Sequence, residues 1–157
     1  MTLHIKMLDE IDKKILYELQ INSKRTTSQL AKVINAPRTT IHNRIKKLER
    51  TGVIRKYKAI VEPKKVGRPI TVFINIVISS KKMPMSIVER LKKNDLFEEI
   101  YIVSGPIDIV VKTHLRNLEE LSKLALAVGG LRSWEGVERT ESMIVISTAK
   151  ENGVILP

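Results

Sequence analysis

The chain of 157 residues has no cysteine. Disulfides and thiolate metal sites are therefore excluded, and a cytoplasmic location is expected. Aromatic residues are sparse, with one Trp, three Tyr and two Phe, within a composition that still suits a globular protein. No apolar run approaches the roughly 20 residues that a bilayer span needs. The opening MTLHIKMLDE lacks the apolar core of a secretory signal. Acidic residues are scarce in one half only. Residues 1–67 hold 16 Lys/Arg against 6 Asp/Glu, a net of +10, whereas residues 68–157 hold 12 against 11. A basic half joined to a near-neutral half implies a nucleic-acid-binding module plus a second unit of different purpose.

The basic half centres on residues 26–54, TTSQLAKVINAPRTTIHNRIKKLERTGVI, which read as two helices joined by a tight turn. Thr26 and Gln29 stand at capping-box spacing. Leu30, Ala31 and Ile34 recur at helical spacing, so this first helix is short and one-faced. Asn35 tolerates a left-handed backbone, and Pro37 can open a helix but not continue one. The second helix is expected from Arg38 to Arg50. Ile41, Ile45 and Leu48 form its buried stripe. Thr39, Asn43, Lys46 and Arg50 fall on the opposite face, flanked by Thr40, His42 and Lys47. Asn and Arg suit base edges, and Lys and Thr suit phosphates. With Arg38 at the start, these eight residues are the candidate DNA-binding set. A solvated basic helix packed on a neighbour would show a similar pattern. A membrane-surface helix would instead need a wide apolar face opposite its cations.

Upstream, Asp9 is a plausible N-cap, with Glu10 and Asp12 in a first turn where the helix dipole favours acids. Ile11, Ile15, Leu16 and Leu19 give that helix an apolar stripe ending near Gln20, which completes a three-helix core. Residues 1–7 read as an arm or a short strand. Downstream, Gly52 ends the recognition helix. VIRKYKAIV, residues 53–61, reads as a strand. It is either a wing whose Arg55, Lys56 and Lys58 touch the DNA backbone or an edge strand kept soluble by its cations. Pro63, Gly67 and Pro69 mark a linker over residues 62–69. The expected domains are thus 1–61 and 70–157.

Residues 70–78 alternate as a strand, with Ile70, Val72, Ile74, Ile76 and Ile78 on one face. A loop follows to Pro84. Ser86 and Glu89 have capping-box spacing ahead of a helix that buries Ile87, Val88 and Leu91 and ends near Asn94. Strands at 97–103 and 108–113 flank the turn at Ser104, Gly105 and Pro106 and form a hairpin. Asn117 caps a second helix whose stripe is Leu118, Leu121, Leu124, Ala125 and Val128, stopped by Gly129 and Gly130. A fourth strand covers 137–148, followed by an extra strand or a loose tail. The order β-α-β-β-α-β is the ferredoxin-like arrangement. The predicted class is α+β: an N-terminal winged helix-turn-helix domain plus a C-terminal ferredoxin-like βαββαβ domain. Such a sheet leaves one face bare, which argues for a homodimer or larger assembly.

Taken together, these motifs resemble the Lrp/AsnC (feast/famine) family of transcriptional regulators over residues 8–148. The family's L-D-x-x-D-x-x-I-L opening stands here as Leu8, Asp9, Asp12, Ile15 and Leu16. The end of its recognition helix is met by Arg44, Ile45, Leu48, Glu49, Gly52, Val53 and Ile54, and Tyr57 and Gly67 match later positions. Its G-x-x-D turn is Gly105 and Asp108. Its G-V-x-R-T-x-[ST] run is Gly136, Val137, Arg139, Thr140 and Ser142. Within the turn this chain has Pro106 and Ile107 where the family often has an acid and an aromatic. Pro37 replaces the usual Ser cap.

The resemblance implies a DNA-binding regulator that acts on pseudo-palindromic sites in double-stranded DNA. It implies dimers assembling into octamers, and an amino-acid-sensing C-terminal domain that holds a small-molecule effector between dimers. Gly105, Asp108, Thr140 and Ser142 would contact that effector, because a carboxylate pairs with an α-amino group and amides or hydroxyls with an α-carboxylate. No cofactor, metal or catalytic residue is expected, nor any membrane partner. Two other readings remain. One is an architectural or autoregulating DNA-binding protein without a ligand, which Pro106 and Ile107 favour. The other is a tetrapyrrole decarboxylase of the same fold, for which His4, His42 and His114 show no sign of clustering.

Overall fold

A computed structural model describes residues 8–79 and 84–157. The stretch Met1–Met7 and most of the loop before Pro84 lie outside the described residues. The chain divides into two compact units. One runs to Ala59 and takes in Lys150–Pro157, and the other is Ile60–Ala149.

The first unit holds three helices: α1 (Glu10–Ile21), α2 (Thr27–Ile34) and α3 (Arg38–Arg50). Each begins where its capping chemistry dictates. The Asp9 carboxylate accepts the Asp12 amide at the start of α1. At α2, Thr26 Oγ1 accepts the Gln29 amide at 3.2 Å while Gln29 Oε1 accepts the Thr26 amide at 2.8 Å, closing the capping box. Asn35 ends α2 in the left-handed region at φ 57°. Pro37 then precedes α3 without any side-chain cap. The apolar stripes meet as expected: Ile15, Leu19, Leu30, Ile34, Ile41 and Leu48 form one buried cluster, with Ile11, Leu16, Ala31, Ile45 and Ile54 packed around it. Each fully buried aliphatic side chain contributes roughly 1.5–3 kcal/mol, so this small core is enough to fix the angle of α3.

The strand expected over 53–61 is absent. These residues carry no helix or strand, and all but Ile54 are exposed. A strand needs a ladder partner for its backbone groups, and β-propensity alone does not provide one. Leu48 O accepts the Ile54 amide at 3.1 Å, and Gly52 takes φ +73°, so the chain leaves α3 through a tight left-handed cap. Pro63–Val66 forms a short 3-10 turn.

The second unit is a four-stranded antiparallel sheet with two helices. In chain order it comprises β1 (Ile70–Ile78), α4 (Pro84–Leu91), β2 (Glu99–Ile102), β3 (Ile109–Leu115), α5 (Leu118–Ala125) and β4 (Val137–Ile144). The strand order β2-β3-β1-β4 is the expected ferredoxin-like arrangement. Val72, Ile74, Ile76, Ile109 and Val111 pack with Ile87, Val88 and Leu91 of α4 on one face of the sheet. The other face presents Phe73 in a row with Lys112 and Met143, Asn75 in a row with Val110 and Glu141, and Val77 opposite Arg139. Tyr101 and Met143 there are about half exposed, at 50% and 45%.

Several boundaries differ from expectation. Helix α4 starts at Pro84, so Ser86 lies inside it rather than capping it. Strands β2 and β4 are shorter than the apolar runs that suggested them. Helix α5 stops at Ala125. Leu118 and Val128, expected in its buried stripe, are 58% and 104% exposed. The cause is geometric: Val128 lies beyond the last turn, and Leu118 at the first helical position points off the sheet. No strand forms after Ile144, and the last eight residues group with the helical unit instead.

Candidate nucleic-acid interface and effector site

Helix α3 is 13 residues long, about 20 Å at 1.5 Å per residue, which suits a major groove. Thr39, Asn43, Lys46 and Arg50 lie at successive spacings of four, three and four, and all are exposed. Arg38 and His42 beside them are exposed too, and Thr40 is half-buried. These are donors and cations around one adaptable amide, carried by a helix that its own core locks in place. Glu49, the one acid on α3, is occupied. It accepts from Lys46 at 3.2 Å and from the Tyr57 hydroxyl at 3.1 Å. Lys46 first, and then Tyr57, hold its carboxyl below the usual value. Burial, and then Glu49, push the Tyr57 hydroxyl up. Arg55, Lys56 and Lys58 follow on the exposed chain after α3.

Lys47 has a different environment from the other members of the set. It is half-buried, with its ammonium 3.4 Å from Asp12. Asp12 is fully buried at 0% exposure, and it also receives the Arg44 guanidinium at 3.2 Å. Arg44 reaches the Asp9 carboxylate as well. The Asp12 amide, and then Arg44, hold Asp9 below its ordinary value, and the hydrogen bond to Asp9 raises Arg44. One carboxylate of α1 therefore clamps two cations of α3, and the cap of α1 clamps one of them again. Sequence reasoning treated Asp12 only as a first-turn acid. The missed signal is its register: positions 12, 15 and 19 share a helical face, so Asp12 sits within the buried stripe. A carboxylate there must be paired.

The candidate effector residues lie at one end of the sheet. Gly105 sits at φ +120°, a backbone region that glycine alone adopts readily. Val103 N–H donates to Asp108 O at 3.0 Å and Asp108 N–H to Ile76 O at 3.1 Å, which locks the hairpin end onto β1. One Asp108 carboxylate oxygen accepts the Ile78 amide at 2.7 Å. This bond falls where the β1–β4 register shifts between Val77 and Ile78. Thr140 stands opposite Ile76 and Ser142 opposite Ile74. Asp108 and Thr140 thus flank the same residue of β1, and Ser142 follows about 7 Å along β4. Thr140 is half-buried and Ser142 exposed. Asp108 and Thr140 thus lie near the end of β1 with Gly105 in the adjoining turn, whereas Ser142 stands opposite the middle of that strand.

His114, by contrast, lies at the far end of β3. It is 7% exposed, with Nδ1 2.8 Å from both Glu98 oxygens. Its carbonyl accepts from Arg68 at 2.9 Å.

Comparisons with known proteins identify the two units by family. Residues 8–49 match the AsnC-type helix-turn-helix domain, and residues 71–155 match the Lrp/AsnC ligand binding domain. The chain is 39% identical over 144 residues to the HTH-type transcriptional regulator FL11 of Pyrococcus abyssi, covering 92% of this chain and 93% of that one. Among solved structures, it resembles the transcriptional regulator NMB0573 of Neisseria meningitidis in its L-Met complex, with a TM-score of 0.88, 25% identity and 95% and 96% of the two chains covered. It also resembles AsnC of E. coli, with a TM-score of 0.86, 27% identity and 96% and 99% covered. With a DNA-binding helix-turn-helix in one unit and a ligand-binding fold in the other, the chain belongs to the Lrp/AsnC family of transcriptional regulators.

Proposed function

We propose that this regulator binds pseudo-palindromic sites in double-stranded DNA as a homodimer, with α3 of each protomer in a major groove. The observation that carries the reading is the exposed row Thr39, Asn43, Lys46 and Arg50 on a helix locked by its own core. Asn43 and Thr39 read base edges. Arg38, His42, Thr40, Lys46 and Arg50 hold the backbone, and Lys47 contributes field rather than contact because Asp12 engages it. The sheet face that carries Phe73, Tyr101 and Met143 beside the polar Asn75 and Lys112 is where protomers stack into dimers, which then assemble towards an octamer.

The effector is an amino acid held between dimers by Gly105, Asp108, Thr140 and Ser142. The methionine bound by the neisserial protein supports that chemical class. Asp108 has a second carboxylate oxygen for an ammonium group, and Ser142 is an exposed hydroxyl on the neighbouring strand. One observation favours a ligand-independent regulator instead: Asp108 already serves the Ile78 amide beside Pro106, which has no N–H to offer. Light scattering with and without pooled amino acids, followed by calorimetry, separates the two. Saturable heat with a change in assembly supports the sensor. Heat-silent titrations of a stable assembly would leave the ligand-free regulator.

A further inference from the structure

The last residues of the chain do not stay with the sheet unit that leads into them. Residues 150–157 group with the helical unit. The contact that holds them is specific. The Gln20 side-chain amide, on α1, donates through Nε2 to Ile155 O at 2.9 Å and accepts the Ile155 amide at Oε1, also at 2.9 Å. One side-chain amide thus satisfies both backbone groups of a single residue, as a neighbouring strand would. Beside it runs a groove of about 410 Å³ lined by Tyr17 of α1, by Val33 and Ile34 of α2, and by Leu156 and Pro157 of the tail. Tyr17 and Val33 are 42% and 55% exposed, and Ile155 and Leu156 are 78% and 80% exposed. No residue of α3 lines this groove.

We infer that residues 154–157 are a releasable latch, that the α1–α2 groove is its receptor, and that Gln20 is the residue that recognises it. The chain crosses between the units at 59–60 and again at 149–150, so the latch is a return of the chain to the helical unit. Recognition runs through the main chain of Ile155 and buries little side chain, so the latch opens without disturbing either core. Its place on α1 and α2 leaves the DNA-reading row of α3 uncovered, so latching is compatible with bound DNA. Strand β4, which carries Thr140 and Ser142, is the last element before the latched segment and is joined to it by residues 145–153. The inference itself does not depend on any effector binding there.

The cysteine-free chain permits a direct test. Val33→Cys and Leu156→Cys are introduced together in the full chain and treated with a short bismaleimide. Isotope-labelled and unlabelled chains are mixed to separate products within one chain from products between chains. The expected result is a cross-link within one chain. Its rate should fall about tenfold on adding Gln20→Met or Ile155→Pro, as loss of the latch removes the high effective concentration of the tail. The Ile155→Pro variant leaves the α1 and α2 residues of the groove in place and removes the N–H that Gln20 accepts. A product between chains would overturn the inference by assigning the groove to a second copy's tail. No product, or a rate unchanged by both variants, would overturn it outright.

Discussion

Replacing Asp12 by Ala tests the central packing argument. Asp12 is fully buried between Arg44 Nη1 at 3.2 Å and Lys47 Nζ at 3.4 Å. Removing one partner of a fully buried pair costs about 3–5 kcal/mol. Arg44 and Lys47 keep 29% and 32% of their side-chain exposure, and Arg44 retains Asp9. Water therefore recovers part of the loss, and the expected cost is roughly 2–3 kcal/mol. For a helical unit this small, that corresponds to about 10–20 °C in Tm. Far-ultraviolet circular dichroism, followed through urea and through temperature, measures it. A double-mutant cycle with Lys47→Met isolates the pair. The same geometry predicts that Lys47→Ala leaves the salt dependence of DNA binding nearly unchanged. The reasoning is refuted if Asp12→Ala costs less than about 0.5 kcal/mol, the range of ordinary surface substitutions. It is equally refuted if Lys47→Ala lowers the salt slope by the roughly 0.9 expected for one lost phosphate contact.

Asn43→Ala should reduce discrimination between cognate and mutated sites by about 1–3 kcal/mol, read by competition gel shift. Equal discrimination before and after would remove Asn43 from base readout. Lys46→Ala and Arg50→Ala should weaken binding to all sequences and each lower the salt slope by about 0.9, measured by anisotropy across a salt series. Thr26→Ala opens the capping box and should cost about 1 kcal/mol in denaturant midpoint experiments, without altering the DNA sequence preference. Asp9 has a folded pKa below its ordinary value of 3.8. The stability it contributes is therefore fully present above that value and is lost as pH falls through the lower folded value. The helical unit should unfold more readily in acid below about pH 4, and Asp9→Asn should flatten that dependence.

Much of the fold could be read from local chemistry. Thr26 with Gln29, Asn35 and Pro37 marked the helix ends because capping satisfies backbone groups within a few residues. Ile41, Ile45 and Leu48 announced the buried side of α3 by period alone. The β-α-β-β-α-β order followed from alternation and turn residues. The failures share a cause. Residues 53–61 have the composition of a strand, yet strand formation depends on a partner that composition does not encode. Val128 and Leu118 kept the helical period but fell where α5 had ended or turned away from the sheet. Asp12 looked like a dipole-compensating acid because its partners, Arg44 and Lys47, come from α3, although its register with Ile15 and Leu19 already placed it on the buried face.

By itself the sequence determined which residues cap, which faces bury and which helix presents a row of donors, since those properties depend on neighbours three or four positions away. The tertiary structure alone decided that Lys47 faces Asp12, that Asp108 lends an oxygen to the Ile78 amide, and that Gln20 holds Ile155 from 135 residues away. Each of these is a long-range pairing of polar groups. Hydrogen bonds and ion pairs form only when distance and direction are both right, and only the folded chain sets those.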